Sequence, residues 1–173
     1  MPDDEVSRMP SGGALYSPEE RRRRDESPWT LVQGILAPAQ FAIFLVSLAL
    51  VLRYLVTGEG YGAATISILI KTAALLAIMV TGAIWEKAVF GRYLFAPAFY
   101  WEDVFSFAVI ALHLAYVAAL VWHLLPPAAL MALALAAYAA YAINAGQFVL
   151  KLRRARLDAG AAHGAPLGAG VTS

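Results

Sequence analysis

The chain has 173 residues, 61% of them hydrophobic and only 14% charged, with a formal net charge of +1 and a mean hydropathy of +0.65. That balance excludes an ordinary soluble domain and indicates an integral membrane protein with room for one compact bundle; no nucleic-acid partner is expected. With no cysteine and three histidines, disulfides and thiolate metal sites are excluded and little remains for a protein-built metal centre, so any metal is expected to arrive inside a ligand.

Residues 1–28, "MPDDEVSRMPSGGALYSPEERRRRDESP", are polar and lack the apolar core of a secretory signal. They are expected to be retained as a partly disordered cytoplasmic segment. Within them Arg21 to Arg24 read as a topology signal that also touches anionic lipid.

Residues 29–157 follow as the membrane domain. About 20 helical residues cross roughly 30 Å of hydrocarbon, and four apolar stretches are long enough: Thr30 to Val56, Gly62 to Glu86, Trp101 to Leu124 and Ala128 to Leu150. Pro38 is expected to kink the first. The turn Thr57 to Gly62 and the break Leu125 to Pro127 make sequential helices neighbours. The fold class is therefore all-α, an integral membrane four-helix bundle. Residues 158–173, rich in Gly and Ala, read as a disordered tail.

The Lys and Arg residues near span ends set the orientation. Arg8, Arg21 to Arg24, Lys87, Arg92, Lys151, Arg153, Arg154 and Arg156 all fall on one side, with only Arg53 and His123 opposite. Both termini and the loop between the second and third spans are therefore expected to be cytoplasmic.

Helical spacing sorts the interior polar residues. At about 100° per residue, Gln33, Gln40 and Ser47 form one stripe on the first span, while Glu102, Ser106 and His113 lie within about 40° of each other on the third. Tyr141, Asn144, Gln147 and Lys151 share a face of the fourth. By depth, Gln33, Glu86, Glu102, Asp103, Asn144 and Gln147 belong near the cytoplasmic boundary, and Lys71, His113 and Tyr138 near mid-membrane. Such stripes describe a polar cleft opening inward. They also describe helices glued by interhelical hydrogen bonds, and Lys71 has the further alternative of snorkelling outward.

The stretch from Val80 to Phe105 holds Glu86, Glu102 and Asp103, the cations Lys87 and Arg92, and eight aromatic rings. Rings such as Phe90, Tyr93, Phe95, Phe99, Tyr100 and Trp101 suit an interfacial belt or a cover for a flat ligand. Acidic residues at a helix start are ordinary dipole partners. Three carboxylates folded to one rim beside apolar walls suggest acid chemistry instead.

The blocks "LYSPEERRRRDESPWTLVQGILAPAQF", "TGEGYGAATISILIKT", "MVTGAIWEKAVFGRYLFAPAFYWEDVFS" and "AAYAAYAINAGQFVLKLR" resemble the vinyl bacteriochlorophyllide hydratase family, over nearly all of the chain from Leu15 to Leu157. The resemblance implies an enzyme of bacteriochlorophyll a synthesis in the inner membrane of a phototrophic bacterium. Its expected reaction adds water to the 3-vinyl group of chlorophyllide a, or a related bacteriochlorin, giving the 3-(1-hydroxyethyl) pigment. No cofactor is implied, since magnesium is carried within the substrate. Other pigment-biosynthesis enzymes are candidate partners beside the lipid bilayer. A pigment carrier or a small transporter are the alternatives that the residues alone leave open.

Vinyl hydration needs a positioned acid, a base for water and negative charge near the developing cation. Glu86, Glu102 and Asp103 are the candidates to divide these roles. Glu102 stands out because its helix face is that of Ser106 and His113, whereas Asp103 is rotated by about 100°. His113 is the candidate axial ligand for the substrate's magnesium, and Lys87 or Arg92 for its propionate. Gln33, Gln40, Lys71, Trp101, Asn144 and Gln147 complete the expected pigment-binding set.

Overall fold

The computed structural model describes residues 15–164, which form five helices: α1 (Pro18–Glu26), α2 (Pro28–Thr57), α3 (Tyr61–Phe90), α4 (Tyr100–Val121) and α5 (Pro127–Gly164). Residues 1–14, with Arg8, and residues 165–173 of the expected C-terminal tail lie outside the described residues. The four long helices are each long and apolar enough to cross a membrane, so the chain is a multi-pass, all-helical membrane protein.

Local chemistry explains the helix ends. Ser17 caps α1 reciprocally: the Glu20 amide donates to Ser17 Oγ at 3.2 Å and the Ser17 amide donates to Glu20 Oε2 at 2.8 Å, satisfying two amides that a helix start leaves free. Arg22 and Arg23 both donate to Glu19 at the helix surface, and these bonds hold its carboxyl below the ordinary range. Gly58 (φ +74°) closes α2 and Gly60 (φ +84°) opens α3. Both sit in left-handed backbone that glycine enters without steric cost.

Two boundaries differ from the periodicity reading. The second span runs on to Phe90, because the stop is left-handed Gly91, whose amide donates to the Lys87 carbonyl at 3.1 Å; Glu86 thus sits inside the last turn. The third ends at Val121, where His123 adopts φ +53° and Leu124 N–H donates to the Ala119 carbonyl. In addition, α5 stays helical through Gly164, beyond Asp158.

Packing is densest within α2–α3 and within α4–α5, and sparser where the two hairpins meet through α3–α4 and α2–α5. The core between them includes Phe44, Ile68, Val109, Tyr116, Met131 and Tyr138. Outward-facing positions remain apolar, with Leu31, Val46, Val56, Ile66 and Val80 exposed. At most 39% of any span's most apolar window is buried, the distribution expected when lipid solvates the outer surface.

The α3–α4 end carries a second cluster. Buried Tyr16, just before α1, stacks on Phe90 with centroids 5.8 Å apart, and Arg24 covers its ring at 4.9 Å. Burial pushes the Tyr16 phenol up despite that guanidinium. Trp85 Nε1 donates to Thr30 Oγ1, which in turn donates to the Arg24 carbonyl. Together these tie α1 to the end of α3.

Candidate active site

At the α3–α4 end three elements converge. Glu86 comes from the last turn of α3, Asp103 from the first turn of α4, and both are buried. The connecting loop places left-handed Phe95 (φ +59°) between them. Its amide donates to Asp103 Oδ2 at 2.6 Å, and the next amide, Ala96, donates to Glu86 Oε2 at 3.2 Å. Consecutive amides turned to one side by a left-handed residue make an anion-binding concavity. Here it grips two carboxyl groups, one on each amide.

A left-handed phenylalanine is strained. Its ring is anchored by stacking on Phe107 (5.7 Å, 16°) and by contact with Tyr100 (5.6 Å). The apolar residues Val89, Ala96 and Phe99 are buried nearby.

Glu102 has a different partner. Lys151 Nζ, arriving from α5, donates to both of its carboxylate oxygens at 2.8 Å and lies 4.9 Å over the Phe99 ring. The fork binds α4 to α5, while the Glu102 and Lys151 charges also act on Asp103. The structure thus brings Glu86 and Asp103 together on consecutive amides of one loop and sets Glu102 beside them in an ion pair.

Beneath this rim Asn144 Nδ2 donates to Ser106 Oγ at 2.9 Å and Gln33 Nε2 donates to Thr81 Oγ1 at 2.8 Å. Asn144 Oδ1, Gln147 Oε1 and Gln40 Nε2 have no hydrogen-bond partner among the described residues.

A deeper layer surrounds Lys71 and His113, both fully buried. Lys71 Nζ lies 3.5 Å over the Tyr141 ring, without a hydrogen-bond partner among the described residues. His113 Nδ1 donates to the Val109 carbonyl at 2.8 Å, leaving Nε2 as a lone pair likewise unpartnered. Beside them Ser47 bonds both Ser67 and Tyr138. Among the described residues no three His, Asp or Glu side chains converge as for a metal ion.

The remaining expected residues sit apart from the carboxyl pair. Lys87 donates to the Gly91 carbonyl at 2.8 Å and Arg92 is exposed; Trp101 is 68% exposed, against Tyr100. A groove of about 280 Å³ lined by Ala42, Ile43, Val46, Ser67 and Ile70 opens on α2 and α3. Apart from Ser67 its lining is apolar, and it contains none of the acidic groups.

Helical spacing places Lys151 in the α5 stripe without giving it Glu102 as its partner. The available signal was its seven-residue spacing from Asn144. It gave no indication of the Phe95 and Ala96 amides, since backbone donors carry no side-chain signature.

The 2-vinyl bacteriochlorophyllide hydratase family model matches residues 16–154. A 2-vinyl bacteriochlorophyllide hydratase of Rhodobacter capsulatus is 69% identical over 153 residues, covering 87% of this chain and 87% of the relative. The counterpart from Cereibacter sphaeroides is 69% identical over 151 residues, covering 86% of this chain and 92% of the relative. No solved structure matches the chain. The matched span contains every element of the acidic rim and of the deeper layer, and the chain belongs to the 2-vinyl bacteriochlorophyllide hydratase family.

Proposed function

We propose that the protein adds water across the vinyl substituent of a magnesium chlorophyllide or bacteriochlorophyllide, giving a 1-hydroxyethyl pigment. That substituent is numbered 2 or 3 according to the tetrapyrrole convention. The observation that carries the mechanism is the Glu86–Asp103 pair clasped by two consecutive amides. Two buried carboxyl groups held on consecutive amides hold one proton between them, because two negative charges so close repel.

That proton goes to the terminal vinyl carbon, turning CH2 into CH3 and leaving a cation on the adjacent carbon that the macrocycle delocalises. The pair, now fully ionised, stabilises the cation electrostatically. Water attacks the cationic carbon, and its surplus proton returns to the carboxylates. Atoms balance as the addition of one water, with no electrons transferred and no redox cofactor required. Phe95 and Ala96 hold the pair in place, and the Glu102–Lys151 ion pair fixes α4 against α5 beside it.

The bundle end bearing Arg21 to Arg24, Lys87, Arg92 and Lys151 is assigned to the cytoplasm, with the chain in a bacterial inner membrane. An amphipathic pigment there keeps its carboxylate at the wet boundary and its ring in the apolar bundle. The test is incubation of purified protein with magnesium chlorophyllide a and no added cofactor, followed by mass spectrometry. A gain of one water is expected; unchanged pigment overturns the reading.

A further inference from the structure

The α4–α5 interface contains a carbonyl oxygen suited to the pigment's metal. Asn144 is more than nine-tenths buried, its amide orientation is set by donation to Ser106 Oγ at 2.9 Å, and Oδ1 is left without a partner among the described residues. Magnesium is a hard cation that prefers oxygen ligands.

Depth separates this oxygen from the competing ligands. A tetrapyrrole's metal lies at its centre and its vinyl group at the rim, a separation of a little more than one helical turn. With about 1.5 Å rise per residue, Ser106 lies about 4.5 Å below Asp103 along α4, whereas His113 lies about 15 Å below it. A pigment whose vinyl group reaches the Glu86–Asp103 pair therefore presents its metal near Ser106 and Asn144. His113 is deep enough to meet only the opposite rim. Gln147 also has a free carbonyl oxygen, but it is only partly buried and lies one turn nearer the Lys151 end of α5.

Resting on the hydratase reading above, we propose that Asn144 Oδ1 is the axial ligand of the substrate's magnesium. This moves the role from His113 and gives the site a means of selecting metallated over metal-free pigment. Ser106 is the positioning residue, holding the amide by its nitrogen so that its oxygen stays free.

The experiment titrates the full chain, in lipid nanodiscs, with magnesium chlorophyllide a and with its metal-free counterpart, following the pigment absorption band. Wild type is expected to bind the magnesium form more tightly. Asn144→Leu should weaken that binding by ~10-fold or more while leaving the metal-free form unchanged, on the scale of losses at metal sites. His113→Leu should retain the preference. Persistence of the preference in Asn144→Leu, its loss in His113→Leu, or its absence from wild type would overturn the assignment. Asn144→His provides a check independent of the leucine variant's folding. An imidazole nitrogen at the metal should shift the band of bound magnesium pigment alone, and an unshifted band counts against Asn144. Hydration by wild type is scored separately: alcohol formation alongside an unaltered preference in Asn144→Leu removes only the ligand assignment, whereas no alcohol removes the hydratase reading.

Discussion

Glu86 and Asp103 come from different helices yet are bound by neighbouring amides, Ala96 at 3.2 Å and Phe95 at 2.6 Å. The short loop therefore sets the spacing of the two carboxyl groups directly. Helix-face arithmetic favours Glu102, but the tertiary structure gives Glu86 Asp103 as its neighbour.

Glu86→Gln and Asp103→Asn are each expected to cut turnover by at least about 100-fold, the scale for a positioned acid or base, with pigment binding preserved. Glu102→Gln should cost less in turnover because its carboxylate is occupied by Lys151. Single-turnover hydration of bound pigment checks the ranking. A larger loss in Glu102→Gln than in Asp103→Asn would move the proton donor to Glu102.

Lys151→Met strands the Glu102 carboxylate, which is 9% exposed while Lys151 is 28% exposed. The loss of stability should be about 1–2 kcal/mol, below that of a fully buried pair because Lys151 retains solvent. Adding Glu102→Gln to Lys151→Met should recover part of it. Thermal unfolding in one detergent, across the double-mutant cycle, measures the coupling; strict additivity would show that the ion pair contributes nothing.

Lys71 is fully buried against the Tyr141 face, an expensive place for an ammonium group. Lys71→Met should raise the unfolding temperature of pigment-free protein, by an amount equivalent to about 1 kcal/mol or more. The same change should weaken pigment binding if the deeper layer receives an oxygen-bearing rim of the macrocycle. A destabilised variant that binds pigment normally would make Lys71 a structural residue.

Labels near Ser17, Gly91 and Lys151 should be reached from one face of sealed, oriented vesicles, and a label near Gly60 from the other. The first three sit at the bundle end that carries the clustered basic residues. A label near Gly91 that reacts only from the periplasmic face would reverse the proposed orientation.

The number of spans, their approximate limits and the end bearing the basic residues were legible in the sequence, because hydropathy, helical period and charge are local properties. The long ordered blocks around "YSPEERRRRDESPW" and "FYWEDVFS" likewise sufficed for the family. The partner of each carboxylate was not legible. Asp103 and Glu86 share consecutive amides because Phe95 adopts left-handed backbone, held by Phe107 twelve residues along the chain, and phenylalanine carries no local preference for that conformation. Glu102 meets Lys151 only because α5 packs along α4 in a particular register, bringing together residues 49 positions apart. Helical periodicity determines which residues share a face; the packing of one helix against another determines what that face meets.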